Sequence, residues 1–193
     1  LWQGDQPLTP DQRIELAAGV LHAMNLEEGF APTVLLVGHG AESPNNPQAA
    51  SLNCGACGGQ SGEFNALLMA RLLNDETVRK GLAERGVVVP DTTRFVAALH
   101  ETVSDDLKIV DDSQLNNEIR AWLDQASMAA RRERAGKLGL DNGDSKTLDK
   151  AIRKRARDWS QVRPEWGLAG NAAFIVAPRA RTRGIDLQGR SFL

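Results

Sequence analysis

The run "PTVLLVG" at residues 32–38, followed at once by "HGAESPNNPQAASLNCGACGGQSG", limits the fold more than any other stretch of the chain. A continuous aliphatic, β-branched run of this length reads as a strand buried on both faces, the kind found inside a parallel sheet. The glycines and prolines after it favour neither strand nor helix, so they make a long connection. A helix signal resumes at Ser61 and runs to about Asn74, with Phe64, Leu67, Leu68 and Leu72 on the inward face. Strand, connection and helix form the unit from which α/β sheets are built, and ligands settle at the carboxyl ends of such strands.

The rest of the chain repeats this grammar. Thr9 caps a first helix, Pro10 suits its first position, and Gln12 completes a capping box. Ile14, Ala17, Ala18, Leu21 and Leu26 then fall near one face. Asp75 begins a short helix that stops at Gly86. "TRFVAALHETVSD", residues 93–105, contains a second buried strand ending near His100. The pattern predicts a long helix capped by Ser113 and running to about Arg134, with Leu115, Ile119, Trp122, Leu123, Ala126 and Ala130 inward. After the breaker "GLDNGDS" comes a basic helix over 146–159 carrying Leu148, Ile152, Ala156 and Trp159. Its run Arg153–Arg157 reads as a solvated face. A third strand is predicted at "AAFIVAP", 172–178, and a hairpin or edge strand at "TRGIDLQGRSFL".

Strands alternating with helices predict a single α/β domain over 1–193, layered about a mainly parallel sheet. The strand exits then carry "GHGAES", "HETVSD" and "APR" on one edge. Asn45, Asn46, Cys57, His100, Glu101 and Asp105 are the polar residues expected around a ligand there, with loop capping as the plainer role.

Composition excludes several classes. A net charge of −2 provides no basic field for nucleic acid. No apolar run approaches the length of a membrane span, and the first residues lack the basic and apolar regions of a signal peptide. The chain opens on Leu1 and closes on "GRSFL" beside a strand-like turn, so a segment of a longer protein is expected.

Both cysteines, Cys54 and Cys57, lie in the glycine-rich connection together with His39. "CGAC" has the spacing of a thiol redox pair, but Gly58 and Gly59 follow where such a pair wants a helix start. A phosphate cradle lacks the Lys-Ser/Thr that should follow its glycines. A structural loop remains open, with Cys57 as a small buried residue and His39 as a satisfied core histidine. Zinc accepts imidazole nitrogen and thiolate sulfur, and a rigid strand exit can present His39 while the glycines bring Cys54 back. One His and one or two Cys do not fill four positions, so other ligands would have to come from elsewhere.

"GHGAESPNNPQAASLNCGACGGQSGEFNALLMARLLND" resembles the signature of the DabA family, large subunits of bacterial inorganic-carbon transporters. "VPDTTRFVAALHETVSDDL", "WSQVRPEWGLAGNAAFIVAPR" and "TRGIDLQGRSFL" resemble it as well, so the likeness covers nearly the whole chain. It implies a three-layer sheet related to one half of a β-carbonic anhydrase. It further implies a Zn2+ held by two Cys, one Asp and one His, of which His39 and Cys54 match the later pair; Cys57 lies in the motif without being an expected ligand. The earlier pair belongs to a Cys-x-Asp-x-Arg motif that this chain does not contain, so the resemblance implies no catalysis by these residues alone. The implied partners are the rest of the DabA chain, the membrane subunit DabB, and CO2 or bicarbonate, at the cytoplasmic side of the bacterial inner membrane. Arg163, Glu165 and Trp166 match the family pattern without a physical role that the sequence explains.

Overall fold

The computed structural model describes residues 2–3, 6–42, 60–111, 115–140, 143–158, 173–187 and 191–192. In chain order these form β1 (Trp2–Gln3), β2 (Gln6–Pro7), α1 (Pro10–Ala23), β3 (Thr33–Gly40), α2 (Glu63–Asn74), α3 (Glu76–Glu84), β4 (Arg94–Glu101), β5 (Asp106–Ile109), α4 (Asn117–Ala135), α5 (Ser145–Arg157), β6 (Ala173–Phe174) and β7 (Ser191–Phe192). The chain divides into two compact units, one of residues 1–36, 68–96 and 170–193, the other of residues 37–67 and 97–169.

In the first unit the capping box forms as the sequence predicts. The Thr9 hydroxyl accepts from the Gln12 N–H, and the Gln12 side chain accepts from the Thr9 N–H. Ile14, Ala17 and Leu21 are buried on α1, as are Val78, Gly81 and Leu82 on α3, and the two helices pack together. Gly81 is required by that packing, since a Cβ there would lie 2.3 Å from Ile14 Cδ1. Asp75 caps α3, and Gly86 ends it with φ +90°. Asn74 then ties helix to strand. Its Nδ2 donates to the Phe95 carbonyl at 2.7 Å and its Oδ1 accepts from the Phe95 N–H at 3.1 Å. Phe95 is fully buried, with the Phe30 ring edge-on at 6.0 Å.

The main sheet has the order β3-β4-β5. Arg94 N–H donates to the Pro32 carbonyl and Thr102 N–H to the Gly40 carbonyl. Both strands therefore advance in the same direction, and the offset sets Gly38 beside Leu99, His39 beside His100 and Gly40 beside Glu101. β4 and β5 are antiparallel, with Ala98 opposite Ile109 and Glu101 opposite Asp106. The α/β class is as the sequence predicts, whereas this sheet is small and mixed.

The second unit packs α4 and α5 together, with Ala135, Leu148 and Ile152 as their shared core. Burying side chains such as Leu148 and Ile152 stabilises by roughly 1.5–3 kcal/mol each.

Several predicted details change. β5 is new; at four residues, its alternation of Leu107 and Ile109 with charged residues is too short to stand out. Asn116 caps α4, through a hydrogen bond from the Ile119 N–H, while Ser113 lies outside the described residues. Phe64 and Trp122 are exposed. Phe64 sits in the first turn of α2, before the buried stripe of Ala66, Ala70 and Leu73, and α4 turns Ser127, Arg131 and Ala135 inward. The predicted strand at 172–178 shrinks to Ala173–Phe174, paired in parallel with Ser191–Phe192. No described helix is long and apolar enough to cross a membrane.

Candidate functional site

His39 is the penultimate residue of β3, and the chain passes back over it in backbone contact. The Gly62 N–H donates to the His39 carbonyl at 2.8 Å. A Cβ on Gly38 would lie 2.3 Å from the Gly62 carbonyl oxygen, and one on Gly62 would lie 2.8 Å from the His39 nitrogen. These distances exclude any larger residue without a backbone shift, so the two glycines are needed for close approach. Ser61 accepts the Glu63 N–H at the start of α2. The glycine-rich excursion thus leaves from His39 and returns to it. Cys54, Cys57, Asn45 and Asn46 lie outside the described residues, as do Arg163, Glu165 and Trp166.

His100 lies beside His39 in register, so the two imidazoles leave the same face of the sheet. The His100 Nε2 is 2.9 Å from Asp105 Oδ1, and Asp105 is also bound by Arg134 Nη1 at 2.7 Å. Asp105 is buried and holds φ +57°, a left-handed conformation unusual for any residue but glycine. Its N–H donates to the Glu101 carbonyl at 2.8 Å, closing a tight turn between β4 and β5. Three of the predicted polar residues therefore form one turn, in which Asp105 and Arg134 orient His100.

Glu101 points to the opposite face. Its carboxylate is buried, accepts the Glu42 N–H at 2.9 Å and lies 3.8 Å from Lys108 Nζ. It borders a pocket of about 400 Å³ that also meets Ser104, Asp106, Lys108 and Arg153. His100 and Glu101 are neighbours in sequence but serve different faces, as strand alternation requires.

The strongest charge cluster escaped the sequence reading. Buried Arg131 donates through Nε to the Ser104 carbonyl at 2.7 Å and through Nη2 to Asp106, with Asp149 3.2 Å from its Nη1. Arg153 grips Asp106 with two nitrogens, at 2.6 and 2.8 Å, and Asp149 through Nε at 3.0 Å. Arg153 is thus part of a four-residue ion network rather than a solvated face. Burial opposes ionisation of Asp106, but hydrogen bonds from Arg153 and Ser104, with the charges of Arg153 and Arg131, outweigh it and hold the carboxyl below its ordinary range. The bonds to Asp106 and then Asp149 raise the Arg153 guanidinium above its own. The available signal was a weak one, arginines at 131 and 153 placed in line with buried helical positions. Among the described residues no three His, Cys, Asp or Glu side chains are grouped to hold a metal ion.

A family model described as "Probable inorganic carbon transporter subunit DabA" matches residues 3–193. The chain belongs to the DabA family. It is 57% identical over its whole length to a probable inorganic carbon transporter subunit DabA of Hydrogenovibrio crunogenus. A protein of the same name from Ectopseudomonas mendocina is 54% identical over 97% of the chain. Another, from Chloroflexus aurantiacus, is 51% identical over 98% of it. The chain spans 24% of the length of each of these three DabA relatives. No solved structure matches it.

Proposed function

We propose that this segment supplies half of the zinc site of an inorganic-carbon transporter subunit, with His39 and Cys54 as its ligands. One observation carries the reading: the glycine-rich connection starts and ends against His39, held there by the Gly38–Gly62 backbone approach. A closed excursion of this kind keeps every residue within it, Cys54 included, tethered at both ends to the strand exit. The donor set is also chemically apt, since imidazole and thiolate are the ligands zinc takes. Two ligands are half of a tetrahedral set, and the other half falls to the remainder of the parent chain.

Zinc in such a site would supply Lewis-acid activation of water toward CO2. The residues of this chain have separate tasks. His39 donates from a strand end whose backbone is fixed on one side by β4 and on the other by Gly62. Asp105 and Arg134 hold His100 beside it as a polar wall. Names borne by the relatives support a role in inorganic-carbon transport, and a subunit implies partners. We place this one as a peripheral component at the cytoplasmic face of the membrane, joined to the membrane subunit DabB. The three-layer architecture related to β-carbonic anhydrases belongs to the same proposal.

Zinc content of the intact parent protein tests it. Cys54→Ser is expected to abolish stoichiometric zinc and carbon uptake, while Cys57→Ala retains both. A redox pair would instead make the two changes equally disabling, with a reversible disulfide and no metal. Equal zinc loss in both variants would overturn the ligand assignment in favour of a CxxC clip.

A further inference from the structure

Three consecutive peptide groups lead away from His39, and each is held by a different residue. The His39 carbonyl accepts the Gly62 N–H at 2.8 Å. The Gly40 carbonyl accepts twice from Thr102, from its N–H at 2.9 Å and from its Oγ1 at 3.1 Å. The Glu42 N–H donates to Glu101 Oε2 at 2.9 Å. The first bond comes from the returning limb of the loop. The others come from the end of β4, through side chains 62 and 59 positions away in sequence.

His39 needs such bonds more than most strand residues do. It stands between Gly38 and Gly40, and glycine restricts its own φ and ψ least of all residues. The direction in which His39 leaves the strand is therefore set by bonds from outside. Both side chains at the end of β4 exceed what a plain ladder supplies. Parallel pairing accounts for the Thr102 N–H on Gly40, and the Thr102 hydroxyl is added to it. Glu101 is a carboxylate only 3% exposed. A buried carboxylate is costly unless hydrogen bonds meet its lone pairs, and the Glu42 N–H meets one of them. Lys108, its ion-pair partner at 3.8 Å, is shared with the Glu42 carboxylate at 3.5 Å. A buried charge of β4 is thus committed to the first residues after His39.

We propose that Glu101 and Thr102 are positioning residues of the metal site. They hold residues 40–42 so that His39, between its two glycines, keeps one orientation at the strand end. This assignment rests on the zinc reading of His39, and the groups it names lie behind the ligand rather than on the metal. Groups of this kind act on metal affinity and on the geometry of the bound ion.

Two measurements on the intact parent protein test it: zinc affinity by chelator competition, and the visible spectrum of the protein loaded with Co2+ in place of zinc. Glu101→Ala and Thr102→Val are expected to weaken zinc roughly 10–100-fold and to shift the Co2+ bands. Thr102→Val should fall at the lower end, because the Thr102 N–H stays on Gly40. Glu101→Gln keeps an oxygen for the Glu42 N–H and Thr102→Ser keeps the hydroxyl, so each should restore affinity and spectrum. Arg131→Met is the structural control. It loosens the neighbouring turn at Ser104 and touches none of residues 39–42, so zinc affinity and spectrum should stay unchanged despite its lower stability. Unchanged affinity in Glu101→Ala and Thr102→Val, with zinc lost in His39→Ala, overturns this proposal and leaves the ligand reading standing. Equal weakening in Arg131→Met overturns it too, since affinity would then follow stability alone. Zinc retained in His39→Ala would remove the ligand reading and this assignment with it.

Discussion

β3 and β4 lie side by side, run the same way and carry similar residues, "TVLLVGHG" against "RFVAALHE". β4 buries five consecutive residues from Phe95 to Leu99, while most of β3 is half-exposed and Val37 is open. Their exits differ too. The chain beyond β4 is locked by charge: Asp105 to His100 and Arg134, Asp106 to Arg131 and Arg153. The chain returning to β3 is held by bare backbone, Gly62 on His39, with glycines on both sides to admit it. An exit whose two aspartates are held by four partner side chains is a foundation. One fixed by glycines lets a long connection leave and return, which is what a ligand-bearing loop needs.

This contrast makes predictions that can be ranked. Phe95→Ala in β4 is expected to cost about 3–5 kcal/mol of stability, the range for a fully buried aromatic, read from chemical denaturation of the parent protein. Arg131→Met should cost about 3 kcal/mol, at the low end for a broken buried ion pair, because Arg153 still covers Asp106 and Asp149. Gly38→Ala should cost about 1–3 kcal/mol through overpacking against Gly62, and it should also weaken zinc retention, which the Arg131 change should spare. Val37→Ala should cost less than about 1 kcal/mol, since so little of the side chain is out of water. A loss at Val37 equal to that at Phe95 would erase the contrast.

Acid provides a further handle on the β4 side. Asp106 is held below its ordinary value of 3.8 in the folded protein. Between the folded and unfolded values the unfolded chain binds more protons, so stability rises with pH across that window. The contribution is fully present above about pH 4 and is lost as pH falls through the folded value. Asp106→Asn should flatten this part of the pH–stability curve, and an unchanged curve would show that the network does not hold its charge in solution.

Local signals were legible where one residue dictates one feature. Thr9 with Gln12, Asp75 and Gly86 each marked a helix end, whereas the backbone contact of Gly62 with His39 had no signal in the sequence beyond the glycines at 38 and 62. Periodicity misled where burial is polar. Trp122 belongs to the apolar stripe of α4 on paper, yet the turn opposite presents a carbonyl and carboxylates, and Ser127 and Arg131 face it instead. The same reasoning misassigned Arg153 to solvent, because its partner Asp106 is distant in sequence. The run "TVLLV" reads as doubly buried, yet Val37 is exposed and the other four residues are only partly buried.

The central claim is that the exit of β3 binds metal while the exit of β4 supports it. Zinc stoichiometry of the intact parent protein carrying His39→Ala, set beside the same protein carrying His100→Ala, tests it most directly. The account predicts that zinc falls to background in the first and stays near stoichiometric in the second, which loses only the hydrogen bond to Asp105. Full zinc in His39→Ala, or equal loss in both, would contradict it.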